Sequence, residues 1–292
     1  MNFAADVRVI ALVAPAGPTA REKVEAGVGC LEALGKKVKV MPGVFSGGGE
    51  LPYLAAPAAV RAADLMAAWL DPEVDLIMAV RGGFGSAHLL PLLDWAAMRR
   101  RDLRLVGYSD ITALHYAMDR LGVGTPVVAP MAAKLPAALA DDYTKKAFCR
   151  AFEPRTSPCR IKPAAGKLRA IRPGRATGRP LVGNLAVAAT LAGTPYLPSA
   201  RERIVIFEDL NEPVYKIDRY LTQLYLSGFF IGCAGIAFGL FLDCGDPAEL
   251  EIVLRRAADW TTGPVAADFP FGHAFPMTSL NFKQELTIDV QS

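Results

Sequence analysis

Short apolar runs and amphipathic stretches alternate along the first 130 residues, and few folds accommodate that order. Val7–Ala14 is an apolar run of strand length, and Thr19–Leu34 carries helical periodicity up to Gly35. Strand character returns at Lys37–Met41, Asp75–Val80, Leu103–Tyr108 and Pro126–Ala129. Helical patterns fill the gaps at Ala58–Leu70, Ser86–Arg99 and Asp110–Leu121. Strands separated by helices pair in parallel, which predicts an α/β fold with a parallel sheet covered on both faces. In such sheets, sites gather beyond the carboxyl ends of the strands. Three loops meet that condition: Pro15–Pro18, Arg81–Ser86 and Tyr108–Ser109.

Beyond residue 130 the character changes. A helix over Asp141–Phe152 leads into Pro-rich loop, so residues 131–165 read as a linker region between domains 1–130 and 166–292. The later domain mixes strands (Leu168–Ile171, Ala176–Leu181, Arg203–Phe207, Gly235–Leu240, Glu285–Val290) with helices near Asn184–Ala192, Val214–Ser227 and Pro247–Trp260. That pattern predicts a smaller mixed α/β C-terminal domain.

Composition excludes several classes. With 292 residues, 52% of them hydrophobic, the chain can bury ample core. A formal charge of +3, evenly spread, gives no footprint for nucleic acid. The basic run Arg99–Arg101 and Arg104 suits a helix C-terminus, and the Arg and Lys scattered over 155–179 suit a solvated linker or hairpins. The cysteines (Cys30, Cys149, Cys159, Cys233, Cys244) are odd in number and lack Cys-x-x-Cys spacing. They read as small buried hydrophobes in a reducing compartment, with no metal site and no disulfide framework. Asp6 and Arg8 interrupt the N-terminal apolar run, so no signal peptide is expected. Ile231–Leu242 is too short and too glycine-broken for a membrane span. The expectation is a cytoplasmic, soluble protein without membrane partners.

The chemistry centres on Gly107-Tyr108-Ser109-Asp110, where a strand turns through glycine into a helix. Such a turn lifts a serine hydroxyl clear of the backbone and aims unpaired helix N–H groups at whatever it attacks. The alternative is that Ser109 or Asp110 is an N-cap. A nucleophilic serine needs a base, and the chain has three histidines. His115 lies six residues along the same helix and points to a nearly opposite face. His88 follows the Arg81–Ser86 loop and faces a neighbouring element. His273, in the glycine-containing turn Phe269–His273, is the better base candidate, against the alternative of a surface histidine. Glu208 and Asp209 end the apolar run Ile204–Phe207, and Glu212 follows before Pro213. Glu208 is placed for burial, and a buried carboxylate wants a partner such as imidazolium. The backbone N–H groups of Gly82 or Gly83, with that of Asp110, would face an oxyanion. The competing reading of this loop is a tight turn needing positive φ.

Taken in order, Arg81-Gly-Gly-Phe-Gly85, Gly107-Tyr-Ser-Asp-Ile-Thr-Ala-Leu-His115, Gly183-Asn-Leu185, Glu208-Asp-Leu-Asn-Glu-Pro-Val-Tyr-Lys-Ile-Asp-Arg219 and Phe271-Gly-His273 make the chain resemble the LD-carboxypeptidase family. These serine peptidases include muramoyl-tetrapeptide carboxypeptidase and the microcin C immunity peptidases. The resemblance spans essentially the whole chain, including Ala14–Pro18. It implies a Ser-Glu-His triad of Ser109, Glu208 and His273, shared between domains. It implies an oxyanion hole from the backbone of Gly82, Gly83 and Asp110, no metal or cofactor, and a cytoplasmic homodimer. The N-terminal domain would resemble class I glutamine amidotransferases. Two stretches depart from the family pattern: Val182-Gly183-Asn184-Leu185 lacks one glycine, and no Pro-x-Gly turn follows His273. Both bear on the pocket wall.

The implied reaction is hydrolysis of the L,D bond that releases terminal D-alanine from cytoplasmic muropeptides. Alternatives are amide hydrolysis in a microcin-type peptidyl or aminoacyl nucleotide, and a non-catalytic binding protein for an amino-acid-like ligand. Asn184 is a candidate substrate contact, with N-capping as its other role.

Overall fold

The computed structural model describes residues 3–47, 51–154, 157–161 and 168–291. Of the stretch read as a linker, residues 155–156 and 162–165 lie outside the described residues. The chain forms two compact units, Met1–Glu153 and Pro154–Ser292.

The first unit is built on β1 (Val9–Val13), β2 (Lys37–Val40), β3 (Leu76–Ala79), β4 (Arg104–Gly107) and β5 (Thr125–Val128), in the spatial order β5-β4-β3-β1-β2. All of these pairings are parallel. Its helices are α1 (Arg21–Ala33), α2 (Ala58–Leu70), α3 (Trp95–Met98), α4 (Thr112–Leu121), α5 (Leu135–Ala140) and α6 (Asp142–Arg150). Side chains alternate across a strand. Ile10, Leu12, Leu76, Met78, Val106 and Val127 therefore share one face, and they form a core with Val24 and Leu31 of α1, Leu135 of α5 and Phe148 of α6. Ala11, Ile77 and Leu105 point to the other face and are equally buried. α2 packs against β1, and α4 against β5. Both faces are covered, as a parallel sheet requires.

Two local expectations change. Ser86–Arg99 is not one helix: a 3₁₀ turn over Ser86–Leu92 contains Pro91, and α3 starts afresh after Asp94. Proline removes a ladder N–H and stops helical propagation. Asp94 then caps α3 by accepting from the Ala97 amide at 2.9 Å. Residues 131–153, read as part of the linker, belong to the first unit and carry α5 and α6.

The second unit holds β6 (Cys159–Arg160), β7 (Arg169–Arg172), β8 (Gly174–Asn184), β9 (Arg203–Leu210), β10 (Gly235–Leu242), β11 (Val265–Ala267), β12 (Leu280–Asn281) and β13 (Leu286–Val290). Its sheet runs β6-β13-β8-β9-β10-β11-β7. The centre, β8 to β11, is parallel, while β13 and β7 join it antiparallel. The helices are α7 (Leu185–Thr190), α8 (Val214–Leu226) and α9 (Pro247–Arg256). α8 buries Val214, Ile217, Leu221 and Leu224, a helical stripe. The mixed α/β expectation holds. Among the described residues, no helix is long and apolar enough to cross a membrane. The five cysteines are unbonded, and burial pushes the thiols of Cys149, Cys233 and Cys244 up.

Candidate active site

In the first unit, the three loops at the carboxyl ends of β1, β3 and β4 meet. The Gly17 amide donates to the Gly82 carbonyl at 3.0 Å, linking the first two. Gly82 lies directly against Ser109. A Cβ at Gly82 would sit 3.0 Å from the Ser109 Cβ, 3.1 Å from its Oγ and 3.3 Å from the Asp110 amide nitrogen. Only glycine leaves that approach open.

Ser109 has a φ of +62°, in the left-handed region. A non-glycine residue there is held by its surroundings at a conformational cost. N-cap residues take extended backbone angles instead. The N-cap positions here fall on Tyr108 for the 3₁₀ turn Ser109–Ile111 and on Ile111 for α4. Ser109 therefore occupies a strained strand-to-helix turn, the backbone setting of a nucleophile elbow.

The Asp110 side chain has a role that the sequence did not reveal. Buried, it accepts from the Ser86 amide at 2.8 Å, while its backbone carbonyl accepts from Ser86 Oγ at 2.5 Å. Burial pushes this carboxyl up, against the hydrogen bonds from Ser86 and Gly85 and the pull of Arg61. Arg61, only 2% exposed, donates from Nε to the Ala56 carbonyl at 2.8 Å. Its Nη1 donates to the carbonyls of Gly85, at 2.8 Å, and Pro15. The signal for Arg61 was periodicity: it lies four and eight residues before Leu65 and Trp69, on the buried face of α2.

In the second unit, β9 carries Glu208 into full burial. Its Oε2 lies 2.7 Å from Nδ1 of His273. The parallel register of β8 and β9 sets Asn184 beside Glu208. The Asn184 Nδ2 donates to Glu208 Oε1 at 3.3 Å and to Asp209 Oδ1 at 2.9 Å. Its Oδ1 accepts from the Val187 amide at 3.1 Å, capping α7. Asn184 therefore spends its carboxamide on protein partners, and the substrate-contact expectation finds no support in this geometry. Asp209 also accepts from the amides of Ala186 and Leu210 at 2.9 Å, and burial pushes its carboxyl up to about 6.

The turn bearing His273 is docked on β10. The Leu240 amide donates to the Phe271 carbonyl at 2.8 Å, and the Phe269 amide to that of Phe238 at 2.9 Å. His273 is partly buried, with its Nδ1 held against Glu208. The other histidines lack this setting. His115 is fully buried, contacts the Leu105 carbonyl through Nε2 at 3.0 Å, and is pulled down to about 4 by burial. His88 is exposed and meets Phe84 edge-on at 5.4 Å.

Comparison with known proteins identifies the family. The sequence profile of the LD-carboxypeptidase N-terminal domain matches residues 10–127, and that of the C-terminal domain matches 177–288. A protein of Streptomyces coelicolor named "Putative carboxypeptidase" is 38% identical over 292 residues, covering 97% of this chain and 91% of its own. The murein tetrapeptide carboxypeptidase of Pseudomonas aeruginosa is 29% identical, covering 90% of this chain and 87% of its own. The crystal structure of an MccF-like protein from Bacillus anthracis superposes with a TM-score of 0.85 at 23% identity, covering 98% of this chain and 94% of that one, and so shares the fold. Matched across both of its units, the chain belongs to the LD-carboxypeptidase family of peptide hydrolases.

Proposed function

We propose that the protein is a serine LD-carboxypeptidase that releases terminal D-alanine from murein tetrapeptides during cytoplasmic recycling of cell-wall peptides. The observation that carries the reading is the 2.7 Å contact between His273 Nδ1 and the fully buried Glu208. A carboxylate on Nδ1 selects the tautomer whose Nε2 accepts a proton, and it stabilises the imidazolium that results. The strained turn at Ser109 supplies the matching nucleophile.

In this reading His273 Nε2 takes the Ser109 proton as Oγ attacks the scissile carbonyl. The amides of Gly82, Gly83 and Asp110 hold the oxyanion. His273 then protonates the leaving D-alanine amine, and a water activated by the same imidazole hydrolyses the acyl-enzyme. The Pseudomonas relative, named a murein tetrapeptide carboxypeptidase, supports the choice of a murein substrate.

The test is incubation with a murein tetrapeptide followed by mass spectrometry. Loss of one alanine by the wild type, and none by Ser109→Ala, is the expected result. Removing one oxyanion donor costs about 10²–10³ in rate, so removing the nucleophile should cost at least that. Near-full activity in Ser109→Ala would sink the mechanism. An intact tetrapeptide after exposure to an enzyme that cleaves other amides would sink the substrate.

A further inference from the structure

Arg61 is a buried charge with no part in the reaction steps above. Burying a guanidinium is costly unless its donors are taken up. Here Nε and Nη1 are taken up by loop carbonyls: Pro15 beyond β1, Ala56 on the entry to α2, and Gly85 beyond β3. Among the described residues Nη2 is buried without a hydrogen bond, and the charge of Asp110 offsets part of that cost. Asp110 grips the same glycine loop from the other side, its side chain accepting from the Ser86 amide at 2.8 Å and its backbone carbonyl from the Ser86 hydroxyl. The loop is thus held at the Gly85 carbonyl by the buried Arg61 guanidinium and at the Ser86 amide by the buried Asp110 carboxyl. The segment between β3 and Gly85 contains Gly82 and Gly83, and Gly82 lies against Ser109.

We propose that Arg61, acting together with Asp110, is a positioning residue that fixes the glycine loop so that its amides are pre-aimed at the oxyanion. This rests on the Ser109 reading above. Glycines are conformationally permissive, and Gly83 and Gly85 have φ of +115° and +106°, so the loop does not hold its own shape by steric restriction. Oxyanion stabilisation depends on donors already in place when charge develops. Two buried side chains hydrogen-bonded to the loop backbone from both sides supply that fixity, whereas solvated side chains would not.

The experiment measures the rate at which a fluorophosphonate probe labels the protein. In that reaction Ser109 Oγ bonds to phosphorus, fluoride leaves, and the serine proton passes to His273, with the phosphoryl oxygen in the oxyanion hole. Ser109→Ala should remain unlabelled. Arg61→Met should label slower by about 10²-fold, the penalty of roughly 1 Å misplacement. Its affinity for a murein tetrapeptide, measured calorimetrically in the Ser109→Ala background, should be unchanged. Arg61→Lys, which keeps the charge but loses the fork of donors, should fall between. A folded Arg61→Met that labels at the wild-type rate overturns the inference and leaves the nucleophile standing. Labelling of Ser109→Ala, or none of the wild type, overturns the nucleophile itself. If Arg61→Met does not fold, Arg61→Lys and Asp110→Asn decide, and wild-type rates in both overturn the proposal.

Discussion

A single methyl group at Gly82 tests the site more sharply than most larger changes. The added Cβ of Gly82→Ala would fall 3.0 Å from that of Ser109 and 3.3 Å from the Asp110 amide, so the serine turn must shift. Overpacking of this kind costs about 1–3 kcal/mol of stability. Turnover should drop by about 10²-fold, since misplacement near the reacting atoms is expensive. A kinetic assay with murein tetrapeptide checks this, and wild-type kcat in Gly82→Ala would remove the loop from the chemistry. Glu208→Gln, by contrast, leaves the loop alone and disturbs the His273 tautomer. By analogy with the same change in serine protease triads, it should cost about 10⁴ in kcat. His115→Gln should leave kcat unchanged, because that ring is buried against Leu105 and lies outside the proposed steps.

At the scale of elements, what sequence reading recovers depends on how local the cause is. The buried parallel strands β1 and β3 were legible as short apolar runs, and β2 as an alternation of Lys and Val. Ser109 was legible because strand, glycine, serine and helix are contiguous. The clamp on the glycine loop was not legible: Asp110 and Ser86 are 24 residues apart, and their hydrogen bonds exist only because two loops converge. The single helix expected over Ser86–Arg99 broke because Pro91 outweighed the apolar periodicity. β11 and β12 are too short to leave a period at all. Strand β10 shows the same lesson from the other side. A Cβ at Gly239 would collide with the Phe271 carbonyl oxygen, so this glycine lets the histidine turn dock on the strand. Gly239→Ala should lose about 1–3 kcal/mol in urea denaturation. It should also lower kcat, because the turn that moves carries His273. Unchanged stability would mean the turn docks by other contacts.

For the molecule as a whole, acid and base stability depend on carboxyls shifted in opposite directions. Asp141 is held below its ordinary range by the Thr144 side chain and amide. Asp75 is also lowered: burial works against it, but the amides of Val9 and Arg8 outweigh that. Such groups contribute stability that is lost as pH falls through their folded values. Asp209 works the other way. Burial, and next to it the charge of Glu208, push it up to about 6 against its hydrogen-bond donors. Between its unfolded value near 3.8 and about 6, the folded state binds the extra proton, so stability from this group falls as pH rises through that window. The full effect is about 3 kcal/mol. Asp209→Asn cannot titrate and has a cost that does not vary with pH. The stability advantage of wild type over Asp209→Asn, from urea denaturation, should therefore be largest near pH 4 and shrink towards pH 7. An advantage that grows with pH would show that Asp209 stays ionised, held by Asn184 and the Ala186 and Leu210 amides.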